Sequence, residues 1–151
     1  MFEIVDAFAG KSGTWTHMEF SSDGKDILLT TNFGSLYLID SYTGQIVHTL
    51  TMESSASSNP QLSQTNFMPQ TSTPAEMMNL RVQGSISPDS QYIACGSQED
   101  GSISIWNRST GTLTKRLEGH LSNPCGLVKF NPVYYMLGST CSNLGFWIPT
   151  L

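Results

Sequence analysis

The chain has 151 residues, the length of one ordinary domain, and its 7 Lys and Arg against 12 Asp and Glu give a net charge of −5. This excess of acid argues against direct binding of nucleic acid, which needs clustered cations to displace counterions from phosphates. Three cysteines without CxxC spacing argue against a disulfide framework or a zinc site. The N-terminus lacks the basic region of a signal peptide, and no apolar run approaches the roughly 20 residues that cross a bilayer. We therefore expect an intracellular protein without metal or cofactor.

Three stretches of the chain repeat one pattern of short, alternating apolar segments divided by turns. They cover residues 15–50, 85–111 and 127–147. Their period-2 segments are bounded by Gly, Asp, Asn or Pro, which is typical of strands joined by hairpins. The Asp100-Gly101 pair is typical of the tight turn between two such strands. The pattern predicts an all-β chain.

The spacing of the repeats predicts their architecture. From Ile86 to Phe130 the period is 44 residues, within the roughly 40–45 residues of a four-stranded propeller blade. From Phe20 to Ile86 it is 66 residues, an excess of 22. The expected division is the outer strand of a preceding blade (Met1 to Phe8) and a first blade within residues 1–50, an insertion at 51–79, a second blade at 80–118 and a third blade at 119–151.

Residues 51–79 take up the excess length. Nineteen of these 29 positions are Ser, Thr, Asn, Gln or Pro, and none is Lys or Arg. Such a segment cannot bury enough apolar surface to offset the entropy of ordering it. The composition predicts a disordered insertion between two blades. A regulatory loop is the alternative, with Thr73-Pro74 as a site of proline-directed phosphorylation.

Several polar and aromatic residues fall where they could tie a blade together internally. A His after Gly, a Ser on the second strand, an Asp in the next turn and a Trp on the third strand can share hydrogen bonds while the indole packs. The residues at these positions in the second and third repeats are Ser97, Asp100, Trp106, His120, Ser139 and Trp147. In the third repeat the Ser142-Asn143 region replaces the acid, and in the first repeat Ile39 replaces the Trp.

These features together resemble the WD-repeat β-propellers, and two segments are similar to one family among them. The run from Phe20 to Leu29 and the ending from Cys141 to Thr150 resemble the WD repeat-containing protein 82 family. The resemblance covers nearly everything except residues 51–79, and it implies the C-terminal portion of a propeller. About three four-stranded blades do not easily close a ring, since typical propellers have 4–8 blades. We therefore expect an incomplete, open propeller that self-associates or is completed by another chain.

The resemblance also implies a function. It implies a non-catalytic scaffold subunit of a Set/COMPASS-like histone lysine methyltransferase complex, with the other subunits of that complex as partners and a nuclear location. The same family appears in mRNA 3′-end cleavage and polyadenylation and in phosphatase assemblies, which is one alternative. A generic protein-interaction adaptor is another.

Few residues suggest chemistry on their own. The sequence has no GxSxG elbow, phosphate-binding Gly loop or metal-binding His pair, so we predict no catalytic residue. Cys95, Cys125 and Cys141 are expected to be small buried hydrophobes among strand residues. Trp15 is the candidate partner contact, because it begins an inner strand near a rim where partner loops dock.

Overall fold

The computed structural model describes residues 14–32, 35–52, 82–120 and 125–150. In these ranges the chain forms three antiparallel sheets and no helix, so none of the described segments is a helix that could cross a membrane. The all-β prediction is confirmed. The expectations for Met1 to Phe8, for Thr73-Pro74 and for all but the first two residues of the 51–79 insertion lie outside the described residues.

Each sheet is a meander in which sequential strands lie side by side. The first contains β1 (Trp15–Phe20), β2 (Asp26–Thr31), β3 (Leu36–Asp40) and β4 (Ile46–Leu50). The second contains β5 (Ser85–Ile86), β6 (Tyr92–Gly96), β7 (Ser102–Asn107) and β8 (Leu113–Glu118). The third contains β9 (Leu127–Phe130), β10 (Leu137–Thr140) and β11 (Leu144–Trp147), so within the described ranges it has three strands rather than the expected four.

The residues that define the sequence period occupy one equivalent place in all three sheets. Phe20, Ile86 and Phe130 each end the inner strand of their sheet. Their partners on the next strand are Ile27, Ile93 and Leu137, respectively. The excess of 22 residues therefore falls between the first and second sheets, after β4 and before β5.

Antiparallel strands place their turns alternately at two rims of the blades. The first rim carries the β1–β2, β3–β4, β5–β6, β7–β8 and β9–β10 turns, and the second rim carries the β2–β3, β6–β7 and β10–β11 turns. The Asp100-Gly101 turn lies at the second rim. Gly101 has φ +70°, a conformation that costs other L residues energy, which explains the glycine there.

The core consists of two layers, one in each gap between neighbouring sheets. The layer between the first and second sheets contains Leu28, Leu36, Leu38, Leu50, Val82, Ile86, Ile93, Cys95 and Trp106. The layer between the second and third sheets contains Ala94, Ile103, Cys125, Val128 and Leu137, with Trp147 packed against it. Burying one such Leu or Ile side chain contributes about 1.5–3 kcal/mol. Each sheet thus needs its neighbour to bury its apolar face.

Hydrogen bonds also cross the gaps between the inner strands. Thr16 Oγ1 donates to the carbonyl of Val82 at 2.6 Å, joining the first sheet to the second. The backbone N–H of Phe130 donates to Ser85 Oγ at 3.2 Å, joining the second to the third. Hydrogen bonds are directional, so these contacts restrict the angle between neighbouring blades more than apolar packing does.

Candidate interaction surface and blade tether

Three of the predicted tether residues meet in the third blade. Trp147 Nε1 donates to Ser139 Oγ at 2.7 Å, and His120 Nε2 lies 2.7 Å from the same oxygen. Ser139 is fully buried and His120 is 6% exposed. A Cβ at Gly119 would overlap the Trp147 indole, so this close approach requires glycine. The residues form one chain of hydrogen bonds; that this chain stabilises the blade stays a prediction.

Cys141 extends this chain at the second rim. Its Sγ lies 2.9 Å from His120 Nδ1, on the side of the imidazole opposite Ser139. The expectation that Cys141 is a buried core residue is wrong, because Cys141 is partly exposed. The reason is the short β10–β11 turn, in which Cys141 is the first residue after β10. The residue that meets the imidazole at the turn is therefore Cys141 rather than the Ser142-Asn143 region.

The three thiols have different environments. The backbone N–H of Asn143 donates to Cys141 Sγ, and this hydrogen bond leads the effects that lower the pKa of Cys141 below its ordinary value. Cys95 and Cys125 are buried, as expected. Burial raises the pKa of both, that of Cys125 to about 11. Of these three thiols, Cys141 is therefore the one whose surroundings lower its pKa.

In the second blade, Ser97 and Asp100 hold the turn at the second rim. Ser97 Oγ accepts two backbone N–H groups of that turn, including the N–H of Asp100 at 3.5 Å. Asp100 accepts both the N–H and the hydroxyl of Ser102 and pairs with Arg116. Partial burial acts to raise the pKa of Asp100, but the hydrogen bonds from Ser102 and the charge of Arg116 together lower it to about 2.

Trp106 lies away from that turn, in the core layer between the first two sheets. Trp106 pairs with Ile93 of β6, and Trp147 pairs with Leu137 of β10. Cys95 and Ser139 each lie two residues after that partner, so they occupy equivalent positions. The hydroxyl that faces Trp147 thus corresponds to a buried thiol near Trp106. A hydrogen-bonded tether that joins Ser97, Asp100 and Trp106 stays a prediction.

Trp15 lies at the second rim, where β1 begins. It is 43% exposed and packs edge-to-face on Tyr37, with ring centroids 5.8 Å apart and an interplanar angle of 74°. Tyr37 itself is buried, so the indole of Trp15 packs against a side chain that is held in place. The position suits a partner contact, and that role stays a prediction.

The first rim carries an aromatic surface that sequence reasoning missed. Val133, Tyr134 and Tyr135 in the β9–β10 turn are 70–75% exposed. Asn131 Oδ1 accepts the backbone N–H groups of Val133 and Tyr134 at 2.8 and 2.9 Å, which holds this turn in place. Tyr42, in the β3–β4 turn of the same rim, is 97% exposed. The signal was present as three consecutive large side chains directly after Asn131-Pro132, a pair that favours a turn.

A groove of about 450 Å³ opens beside this turn, between the second and third sheets. Its walls include Ile105 and Leu117 from the second sheet, Trp147 and Pro149 from the end of the third, and Tyr135 from the turn. These walls are mostly apolar. We call the exposed β9–β10 turn and this groove the rim groove surface.

The inner strands meet in a polar cluster. Lys129 Nζ donates to Glu19 Oε1 at 2.6 Å, and Gln83 Nε2 lies 3.0 Å from His17 Nε2. Burial lowers the pKa of His17, with Glu19 acting in the opposite direction. In the ranges that the structure describes, no group of three His, Cys, Asp or Glu side chains is arranged to hold a metal ion. This cluster joins the inner strands of different blades.

Comparison with curated proteins gives the family context. WD repeat-containing protein 82 of Drosophila melanogaster is 36% identical over 140 residues, which are 93% of this chain and 37% of that protein. The resemblance of the chain to the WD repeat-containing protein 82 family is confirmed. The COMPASS component SWD2 of Saccharomyces cerevisiae is 27% identical over 156 residues, covering 97% of this chain and 41% of that protein. The chain thus spans about two fifths of the length of these relatives.

The fold comparison agrees. The solved structure of U3-55K superimposes with a TM-score of 0.66 at 18% identity, over 93% of this chain and 37% of that one. The predicted fold, part of a WD-repeat β-propeller, is confirmed. No protein-family model matches the sequence.

Proposed function

We propose that this chain is a non-catalytic scaffold subunit of a Set/COMPASS-like histone lysine methyltransferase complex linked to transcription. The observation that carries the proposal is the 36% identity with WD repeat-containing protein 82 across 93% of the chain. The similarity to a yeast protein named as a COMPASS component supports the choice of complex. The proposed partners are the other subunits of that complex, and the proposed location is the nucleus.

The rim groove surface supplies a place for such partners to bind. Exposed aromatic side chains are enriched at protein interfaces because they bury a large area for little loss of side-chain entropy. Tyr134 and Tyr135 are presented on a turn held by Asn131, so the surface is ordered before a partner arrives. The adjacent groove, about 450 Å³, is large enough for an apolar anchor from the partner.

Affinity purification of the tagged chain from its own cells, followed by mass spectrometry, tests the proposed function. We expect methyltransferase subunits in the eluate. Cleavage, polyadenylation or phosphatase subunits in their place would move the chain to the 3′-end processing alternative. An eluate with none of these subunits would contradict both readings and favour a generic adaptor.

Variants of the rim groove surface test where the partners bind. Replacing Tyr134 and Tyr135 by Ala together is expected to remove most of the co-purifying subunits without unfolding the chain, since both side chains are about 70% exposed. Tyr42→Ala is the matched control, because Tyr42 lies on the same rim but on the first blade. Trp15→Ala examines the second rim in the same assay. Equal retention of subunits by all three variants would place the contact elsewhere.

A further inference from the structure

A line of hydrogen-bonding groups runs from the core of the third blade to its surface. It starts at the indole N–H of Trp147, passes through Ser139 Oγ and the imidazole of His120, and ends at Cys141 Sγ, with separations of 2.7, 2.7 and 2.9 Å. The imidazole is almost fully buried, whereas the thiol is partly exposed. The line therefore presents one reactive atom to solvent.

The tautomer of His120 decides the roles of the atoms in this line. When the imidazole carries its proton on Nε2, that N–H donates to Ser139 Oγ, and Nδ1 accepts from the thiol of Cys141. Ser139 Oγ has two lone pairs and accepts Trp147 as well. In this tautomer, Nδ1 faces Cys141 Sγ as a proton acceptor.

We propose that Cys141 is a modification site at which His120 activates the thiol toward small electrophilic oxidants of the hydroperoxide class. A cysteine beside a fixed imidazole, with a backbone N–H also donating to its sulfur, has the environment that favours the nucleophilic thiolate. The hydrogen bond from Asn143 that lowers the pKa of Cys141 acts in the same direction. Nothing in the scaffold role requires this chemistry.

The reaction with hydrogen peroxide balances without another reagent. The thiol proton passes to His120 Nδ1, and the thiolate sulfur attacks one peroxide oxygen. The O–O bond breaks, the sulfur is oxidised to a sulfenic acid, and the peroxide is reduced. The second oxygen leaves as hydroxide, takes the proton from Nδ1 and becomes water.

Modification would act on the third blade through His120. Oxidation replaces the S–H of Cys141 by S–OH, so the thiol hydrogen bond across the 2.9 Å contact with His120 Nδ1 is lost. His120 also contacts Ser139, which accepts the indole of Trp147. Oxidation of one surface thiol thereby disturbs a buried hydrogen-bond chain.

The first test compares the three thiols in the folded chain. At pH 6.5, with iodoacetamide and peptide mass spectrometry, we expect Cys141 to react about threefold or more faster in the native chain than in the urea-unfolded chain. Cys95 and Cys125 should react more slowly in the native chain, because both are buried. Exposure to peroxide followed by dimedone should label Cys141.

The pH dependence is a second readout. The titratable groups found against Cys141 in the described part of the chain are His120, which contacts it, and Cys125, which is coupled to it electrostatically. The buried Cys125 has a pKa near 11 and is neutral near pH 7. The alkylation rate of Cys141 is therefore expected to rise with a midpoint below that of the same cysteine in the unfolded chain.

Two variants separate activation from mere exposure. His120→Gln removes the proton acceptor, and we expect it to slow the native reaction of Cys141 by about threefold or more. Trp147→Phe removes the indole N–H but leaves the thiol–imidazole contact, so it controls for loosening of the blade and should retain the fast reaction. A native rate at or below the unfolded rate would overturn the proposal. So would an unchanged rate in folded His120→Gln, or dimedone labelling that misses Cys141.

Discussion

Arg108 of the second sheet donates through Nε to Asp26 of the first sheet, although 82 residues separate them in sequence. The same guanidinium donates to Asp23 at 3.0 Å and to the carbonyl of Ser90 at 2.8 Å. Arg108 and Asp26 are only 13% and 11% exposed. One side chain therefore connects the first rims of two blades, with its charge largely removed from water.

Replacing Arg108 is expected to destabilise the fold strongly. Arg108→Ala leaves the partly exposed Asp23 and the buried Asp26 without their cation, and removing one partner of a buried ion pair costs about 3–5 kcal/mol. Urea denaturation followed by circular dichroism measures the change. Lys25→Ala, at an exposed position in the β1–β2 turn, is the matched control and should shift the midpoint little. Equal midpoints for the two variants would show that the pair adds nothing to stability.

Acid should weaken the fold through two carboxylates. The hydrogen bond from Ser21, followed by those from Lys25 and Arg108, lowers the pKa of Asp23 to about 2, and the pKa of Asp100 is also about 2. Both values lie below the ordinary 3.8, so the native state holds these groups ionised more tightly than the unfolded state does. Their contribution to stability is complete above about pH 4 and is lost as the pH falls toward 2.

Thermal denaturation between pH 7 and pH 2 measures this loss. The double variant Asp23→Asn and Asp100→Asn should be less stable at pH 7 and should show a flatter decline below pH 4. Glu118→Gln changes an exposed carboxylate of β8 and should leave the shape of the curve unchanged. A decline of the same steepness in the double variant would assign acid sensitivity to other groups.

Ser139 is the central acceptor of the third-blade chain. Ser139→Ala leaves Trp147 and His120 without the oxygen that both contact, and an unsatisfied buried polar group costs about 1–3 kcal/mol. The free energy of unfolding in urea is the measurement. Ser142→Ala is the control, because Ser142 lies in the adjacent β10–β11 turn and is exposed. If the two variants have the same stability, the predicted role of Ser139 as a structural tether is wrong.

Local patterns were enough to predict that the chain consists of short strands joined by turns. Ile86 and Phe130 mark equivalent strand ends because the alternation of apolar residues is set within each strand. Asp100-Gly101 was recognisable as a turn because positive φ favours glycine wherever it occurs. These features are set within a few residues of chain.

Contacts between elements were not predictable in the same way. Which residue meets His120 depends on the length of the β10–β11 turn, and this turn is two residues shorter than the β6–β7 turn. The position of Arg108 opposite Asp26 depends on the angle between two packed sheets, which no segment of the sequence encodes alone. The rim groove surface has the same origin, since its walls come from two blades.

The ion pair between Lys129 and Glu19 bears on how fast the chain folds. It joins residues 110 positions apart, on the inner strands of the third and first sheets. Domains dominated by contacts of such long sequence separation fold in about milliseconds to seconds, because distant segments must meet before their contacts are gained. During synthesis, β1 emerges long before β9, so the carboxylate of Glu19 does not meet Lys129 until the third blade has been made.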